Sequence, residues 1–374
     1  MKQGWELKKL GDVCEIVNGS TPLKSNKNYW DGGDFSWFTI EDIRTQGREI
    51  NYTKQHITQL ALNKIRVLPI DSVLLCCTAS IGEYAITKIE LSTNQQFNGL
   101  IVKNKLLLLP LFLLYFSSTL KDTLSGLSGK TTIDFIPISR LKEISIPIPP
   151  LPEQQKIVAI LDQAFSAIDQ AKQNAKQNLK HTKELFNSYL QNIDAKKVAL
   201  NDLVNITTGR LNSNEAVDNG EYPFFTCSRD VFAINKYAFD LEAILLAGNN
   251  ASGDFNVKHY KGKFNAYQRT YVITVNEKSQ VLYRYLYFQL LNSLKEFKNQ
   301  SVGANTRFLK IGMIYNLQIP LPNIEEQNQI INTLDNLLFK TQQLEAIYQH
   351  KLIELEELKK SILQKAFNGE LKIN

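Results

Sequence analysis

Two stretches of the chain carry the same order of apolar and polar positions. In the first, Leu161, Ile168, Ala175, Thr182 and Tyr189 recur every seven residues, with Phe165, Leu179, Phe186 and Ile193 interleaved. In the second, Leu334, Thr341, Tyr348, Leu355 and Ile362 do the same, with Leu337, Leu344 and Leu358 between them. Alternating steps of three and four predict a helix whose apolar stripe seals a coiled-coil seam. Helix is expected from Glu153 and from Glu325, because acidic side chains suit the positive end of the helix dipole. Neither Gly nor Pro follows for about 40 residues, so each helix should be roughly 60 Å long. Two matched seams of equal length favour pairing with each other, and the chain's topology asks for antiparallel pairing.

The likeness extends beyond periodicity. Ile146, Pro147, Pro149, Glu153, Gln154, Ile157, Leu161 and Asp162 are repeated without gaps by Ile319, Pro320, Pro322, Glu326, Gln327, Ile330, Leu334 and Asp335, a constant 173 residues on. Both copies open on a proline-alternating segment that must be extended, since proline fixes its own φ and pushes its predecessor out of the helical region.

Ahead of each copy the pattern shortens to strands. The apolar run of SVLLCCTASIGEYAI from Ser72 aligns with that of AILLAGNNASGDFNV from Ala243, each broken by a polar turn at Gly82 or Gly253. FSWFTIEDI from Phe35 is mirrored by YPFFTCSRDV from Tyr222, and Leu10, Asp12 and Gly19 by Leu200, Asp202 and Gly209. Short strands between Gly and Asn turns predict mainly β modules. Each module also has one apolar, helix-like stretch, from Pro110 and from Val281. The expected fold is α+β and duplicated, with modules over 1–150 and 198–322 and long helices over 151–197 and 323–374.

Charge refines this only modestly. Of the net +6, each module carries +3, while the helices carry +2 and −2. That suits an anionic partner at the modules, and it is also an ordinary margin for solubility. The first residues, MKQGWELKKLGD, lack an apolar leader, and the run 106–116 is short and interrupted by Pro110; a soluble, cytoplasmic protein without membrane contact is expected. Cys14, Cys76, Cys77 and Cys227 form no CxxC pair, and His56, His181, His259 and His350 are scattered. No metal site is expected, and each cysteine reads as a buried free thiol.

Catalytic motifs are not found. GLSGKT at 126–131 lacks the first glycine of a phosphate loop, Leu124 standing in its place. Pro149-Pro150 lies between Ile148 and Leu151, without the Asn or Asp that an adenine methyltransferase places before such a pair. The chain reads as a binding protein, not an enzyme, with no cofactor of its own.

At this point the chain resembles the specificity subunit of type I restriction-modification systems. The resemblance is carried by IPPLPEQQKIVAILD, by its second copy, by the closing KSILQKAFNGEL from Lys360, and in the first half by GSTP at 19–22, TNQQ at 93–96 and GKTT from Gly129. The second half departs, with Gly209-Arg210-Leu211 and Tyr267-Gln268-Arg269 at the first two of these places. The resemblance implies two target-recognition domains, a bipartite and asymmetric site on double-stranded DNA, two methyltransferase subunits docked on the helices, and restriction or translocase subunits recruited through them. Base edges are read by hydrogen bonds and phosphates by charge. The candidate DNA contacts are therefore Thr39, Arg44, Lys54, Ser80, Gln95, Gln96, Lys130 and Thr132 in the first module. In the second they are Thr226, Arg229, Asn249, Asn250, Ser252, Gln268, Arg269, Thr306 and Arg307. The alternative from another class is a coiled-coil scaffold that binds acidic protein partners.

Overall fold

The computed structural model describes residues 2–127 and 135–372. The chain forms two compact units, Met1–Asn174 with His350–Asn374, and Ala175–Gln349, so that both long helices are shared between units.

In the first unit a five-stranded sheet runs in the order Cys14–Asn18, Phe97–Val102, Val73–Cys76, Tyr84–Thr87, Glu49–Ile50. A smaller sheet sets Phe35–Phe38 between Gln55–Ile57 and Ser92–Thr93. The run Val73–Cys76 is apolar at every position because the sheet is covered on both faces, and successive side chains point to opposite sides. Val73, Leu75 and Cys77 enter one core with Phe112 and Leu113, whereas Leu74 and Cys76 enter another with Phe38 and Phe97.

The second unit repeats this plan in a six-stranded sheet ordered Val204–Thr208, Thr270–Val275, Phe239–Ala247, Val257–Ala266, Tyr222–Phe225, Phe232–Ile234. Ile244 and Leu246 face Tyr285 and Leu286, and Ala243 and Leu245 face Phe225 and Phe264. The mirrored aromatic strands pair alike: Trp37 and Phe38 lie parallel to Ser92 and Thr93, and Phe224 and Phe225 lie parallel to Asn265 and Ala266. Each apolar helix-like stretch is divided in two, Pro110–Ser117 then Lys121–Leu127, and Tyr283–Asn292 then Leu294–Gln300. The proline segments are extended as expected, each closing a two-stranded ribbon with the strand that enters its unit: Glu6–Lys9 with Ser145–Ile148, and Lys197–Ala199 with Gln318–Pro320.

The long helices span Leu151–Gln191 and Ile324–Phe367. They begin slightly before the expected glutamates. Pro152 fits in a first turn, where a backbone N–H would have no partner anyway. Asn323 caps the second helix, its Oδ1 accepting from Glu326 N at 2.9 Å while the Glu326 carboxylate accepts from Asn323 N at 3.3 Å. Pairing is antiparallel within each unit. In the first, Lys172 meets Glu356 at 2.6 Å and Asp169 meets Lys359 at 3.9 Å, so the numbering rises on one helix as it falls on the other. In the second, Asn178 donates to the Tyr348 hydroxyl at 3.1 Å.

The seam itself needs two corrections. Tyr189 is 36% exposed and Leu190, at 2%, is buried in its place with Phe186, Phe288 and Leu334. Leu358 is 48% exposed, and the neighbouring Lys359 side chain, only 11% exposed, lies over the Phe165 ring. A straight helix has 3.6 residues per turn, so a strict seven-residue repeat drifts round its surface, and the inward position slips by one residue near the ends.

Candidate nucleic-acid interface

The polar loops of each module are tied together by the same two backbone bonds. In the first unit Cys77 N donates to Gln96 O at 2.9 Å, and Ile136 N donates to Cys77 O at 3.1 Å. In the second, Gly248 N donates to Arg269 O at 2.8 Å and Leu309 N donates to Gly248 O at 2.9 Å. Just past these bonds Thr78 bridges to Phe135, and Asn249 pairs with Phe308. The loop after the central strand thus sits between the 93–96 or 266–269 loop on one side and the segment that leads out of the module on the other. Gly19 and Gly209 secure the first of these loops. A Cβ at Gly19 would lie 2.0 Å from Asn94 O, and one at Gly209 would lie 1.8 Å from Ala266 O, so only glycine permits this approach.

In the first module the candidates separate into two places. Gln95 and Gln96 lie on the tied loop, where the Thr21 hydroxyl donates to Gln95 Oε1 at 2.5 Å and Asn94 Nδ2 donates to Gln96 Oε1 at 3.2 Å. Ser80 is half-buried in the adjoining turn, its carbonyl accepting from Glu83 N. Thr39 instead is buried at the start of the helix Ile40–Gln46, its hydroxyl and backbone N–H both directed at the Asp42 carboxylate. The other Asp42 oxygen accepts from Lys54 N at 2.9 Å. The Lys54 side chain is exposed, and Arg44, on the same helix, pairs with Glu41. Lys130 and Thr132 lie outside the described residues.

The second module gathers more of its candidates. Asn249 and Asn250 pair with Phe308 and Arg307. Asn250 Oδ1 accepts from Ser252 N, Ser252 Oγ and Asp254 N, folding the turn on itself. Arg229 reaches Asp254 at 2.8 Å. Thr226 is buried, accepting from Ser228 N, and Thr306 stands in the turn closed by Gly303. Arg307 donates to Ser301 O at 2.9 Å, and Gln268 donates to Asn212 Oδ1 at 2.8 Å. The Arg269 guanidinium rests over the Phe308 ring, 5.9 Å from its centroid. These two, with Thr208, Gly248 and Lys310, line a cleft of about 420 Å³.

The family model for the type I restriction modification DNA specificity domain matches residues 2–181 and again 192–357. The chain belongs to this DNA-specificity family. The EcoDI specificity subunit of Escherichia coli is 39% identical over 179 residues, which cover 48% of this chain and 39% of that protein. The MjaIX specificity subunit of Methanocaldococcus jannaschii is 26% identical over 417 residues, covering 99% and 94%. Among solved structures, a chain from work on complex assembly and conformational transition of the type I R-M system superposes with a TM-score of 0.79 at 19% identity, covering 99% of both. The HsdS subunit of Thermoanaerobacter tengcongensis gives 0.58 at 19% identity, covering 99% of this chain and 98% of that one. These structural likenesses are of fold.

Within this specificity fold, three of the four cysteines are buried free thiols, but Cys227 is half-exposed, its Sγ 3.4 Å from Arg269 O. Burial pushes the Cys14 and Cys77 thiols up to about 12, far from the thiolate that nucleophilic chemistry needs. Burial also lowers Lys258, whose ammonium donates to Ser228 O at 2.7 Å beneath the loops. Side-chain chemistry along the chain does not single out Thr21 and Asn212, which orient Gln95 and Gln268, or Phe135, Phe308 and Lys310 beside the tied loops. One signal was available: Phe135 and Phe308 obey the same 173-residue offset as the helices.

Proposed function

We propose that this chain is the sequence-reading subunit of a type I restriction-modification complex. Its two modules, 1–150 and 198–322, each read one half of a bipartite, asymmetric duplex target. The helices offer duplicated surfaces to two methyltransferase subunits, and through them to restriction subunits; methylation and cleavage belong to those partners. The observation that carries the reading is the loop frame built twice with the same backbone bonds but different side chains, Gln96 against Arg269 and Thr78-Ala79-Ser80 against Asn249-Asn250-Ala251. One frame serving two side-chain sets is what reading two different half-sites requires. Co-expression with a methyltransferase subunit, followed by methylome sequencing, should reveal one split motif with two unlike halves. Methylation by the purified chain alone, or a partnered complex that marks no defined motif, would refute the proposal.

A further inference from the structure

Resting on that reading, we propose that residues 96 and 269 are equivalent base-reading positions, Arg269 selecting a guanine in one half-site and Gln96 an adenine at the matching step of the other. Their equivalence is structural. Each residue's carbonyl accepts from the first residue past the central strand, Cys77 or Gly248, whose own carbonyl accepts from Ile136 or Leu309. The aromatic residue one place before each of these, Phe135 or Phe308, pairs with the next residue of the central loop, Thr78 or Asn249. The glycine that lets the loop approach, Gly19 or Gly209, is common to both. The preceding residues, Gln95 and Gln268, are identical. Within the 93–96 and 266–269 loops, the change from Gln96 to Arg269 is thus a change of hydrogen-bonding and charge character at one equivalent position.

The chemistry of each is directional. A guanidinium presents a planar fork of donors that matches the O6 and N7 acceptors of guanine, whereas a carboxamide pairs one donor and one acceptor with N7 and N6 of adenine. Arg269 is exposed at the mouth of its cleft and rests on Phe308, so less of its rotamer freedom is lost on binding than for an unsupported arginine. Gln96 Oε1 accepts one bond from Asn94 Nδ2, and Gln96 N donates to Asn94 Oδ1 at 3.0 Å. That pins the amide while leaving a second lone pair and both N–H donors for a base. A phosphate contact would favour the charged Arg269 over Gln96 equally on every sequence, whereas base contacts by the two side chains differ in the base that each prefers.

The test is methylome sequencing of the complete complex carrying wild type, Arg269→Gln or Gln96→Arg. Arg269→Gln should change one guanine to adenine in one half-site and leave the other half unchanged; Gln96→Arg should make the reverse change at the matching position of the other half. Should a variant prove inactive, wild-type complex is titrated with duplexes in which each guanine in turn is 7-deazaguanine. A loss of roughly 5- to 150-fold at a single guanine that maps to the half-site lost in a second-module variant such as Arg307→Ala supports the assignment. An unchanged motif with Arg269→Gln, or equal weakening on all duplexes, overturns it while leaving the DNA-reading function standing. A wild-type complex with no motif overturns both.

Discussion

Gln154 and Gln327, 173 residues apart, make the same three hydrogen bonds. Gln154 Oε1 accepts from Leu109 N at 2.9 Å, and its Nε2 donates to Leu107 O at 2.8 Å and Pro149 O at 2.9 Å. Gln327 does so with Leu282 N at 2.9 Å, Gln280 O at 2.7 Å and Pro322 O at 2.9 Å. Both side chains are fully buried. Each fastens the first turns of a long helix to the backbone that leads into the apolar helix of its own module.

Replacing Gln154 by Leu should therefore destabilise the first unit by about 2–4 kcal/mol, because a buried N–H and two carbonyls lose their partner together. Glu should be no better, since a carboxylate cannot donate to Leu107 and Pro149. Trp5, Trp30 and Trp37 are the chain's three tryptophans and all lie in this unit, so their fluorescence in a urea titration reports it selectively. An unshifted midpoint would show the bonds to be dispensable.

The slipped seam gives a second expectation. Leu190→Asp should lower the melting temperature of the second unit, burying a charge among Phe186, Phe288 and Leu334, at a cost of several kcal/mol. Tyr189→Asp, one residue away, should stay within about 0.5 kcal/mol of wild type. Circular dichroism melts of the two variants separate the observed seam from a strict seven-residue one, which would reverse their order.

Lys359 supplies a pH dependence. Burial and then the neighbouring Arg48 push its ammonium down to about 8, with Lys172 acting the same way and Asp169 and Glu356 opposing. The unfolded side chain titrates near 10.5. Between these values the unfolded chain holds a proton that the folded chain lacks, so stability rises with pH; below 8 the penalty is complete. The buried thiols Cys14 and Cys77 act oppositely, beginning about one unit below their ordinary value of 9.0, where the unfolded chain starts to lose protons that the folded chain keeps. From pH 8 to pH 9 Lys359 itself contributes a gain of about 1 kcal/mol, read by tryptophan fluorescence as the difference in slope between wild type and a Lys359→Met variant that keeps the same thiols. Lys359→Met should flatten this rise and stabilise the unit at pH 7 by on the order of 1–3 kcal/mol.

Lys310 lines the Arg269 cleft as a flexible point charge. Lys310→Ala in the partnered complex should weaken binding to all duplexes by a similar factor and reduce the slope of log affinity against log salt by about 0.9. A shift in preferred sequence instead would make Lys310 a base reader.

What could be read directly from the residues was whatever repeats. The helices, the proline ribbons and the paired strands declare themselves twice, and the constant offset of the proline and helix segments is independent of three-dimensional detail. The inward face of the seam was less legible at its ends, because the drift of a 3.6-residue turn accumulates with length and decides between Tyr189 and Leu190 only in place. The loop residues were harder still. Thr39 and Asn250 belong to polar types that read bases, yet both direct their oxygens at their own turns. Side-chain chemistry alone cannot divide these roles; that needs the positions of the neighbouring N–H groups. Lys359 was hidden for a related reason, since a long charged side chain can lie along an aromatic face while sequence counts it as surface.

The two-stranded ribbons at the base of the modules bear on inheritance. Glu6 lies opposite Ile148, and Lys197 opposite Pro320, so each module departs from its scaffold and returns to it at neighbouring points. A crossover in the coding sequence at those borders would carry a module's sheets intact, and the joints to be remade are a ribbon of three or four residue pairs, the Gln154 or Gln327 bonds, and the packing of the apolar helix on the long helices. On the function proposed above, new combinations of half-site specificity would then arise by exchange of cassettes whose helix-facing residues are kept, as Gln154 and Gln327 are kept between the two copies.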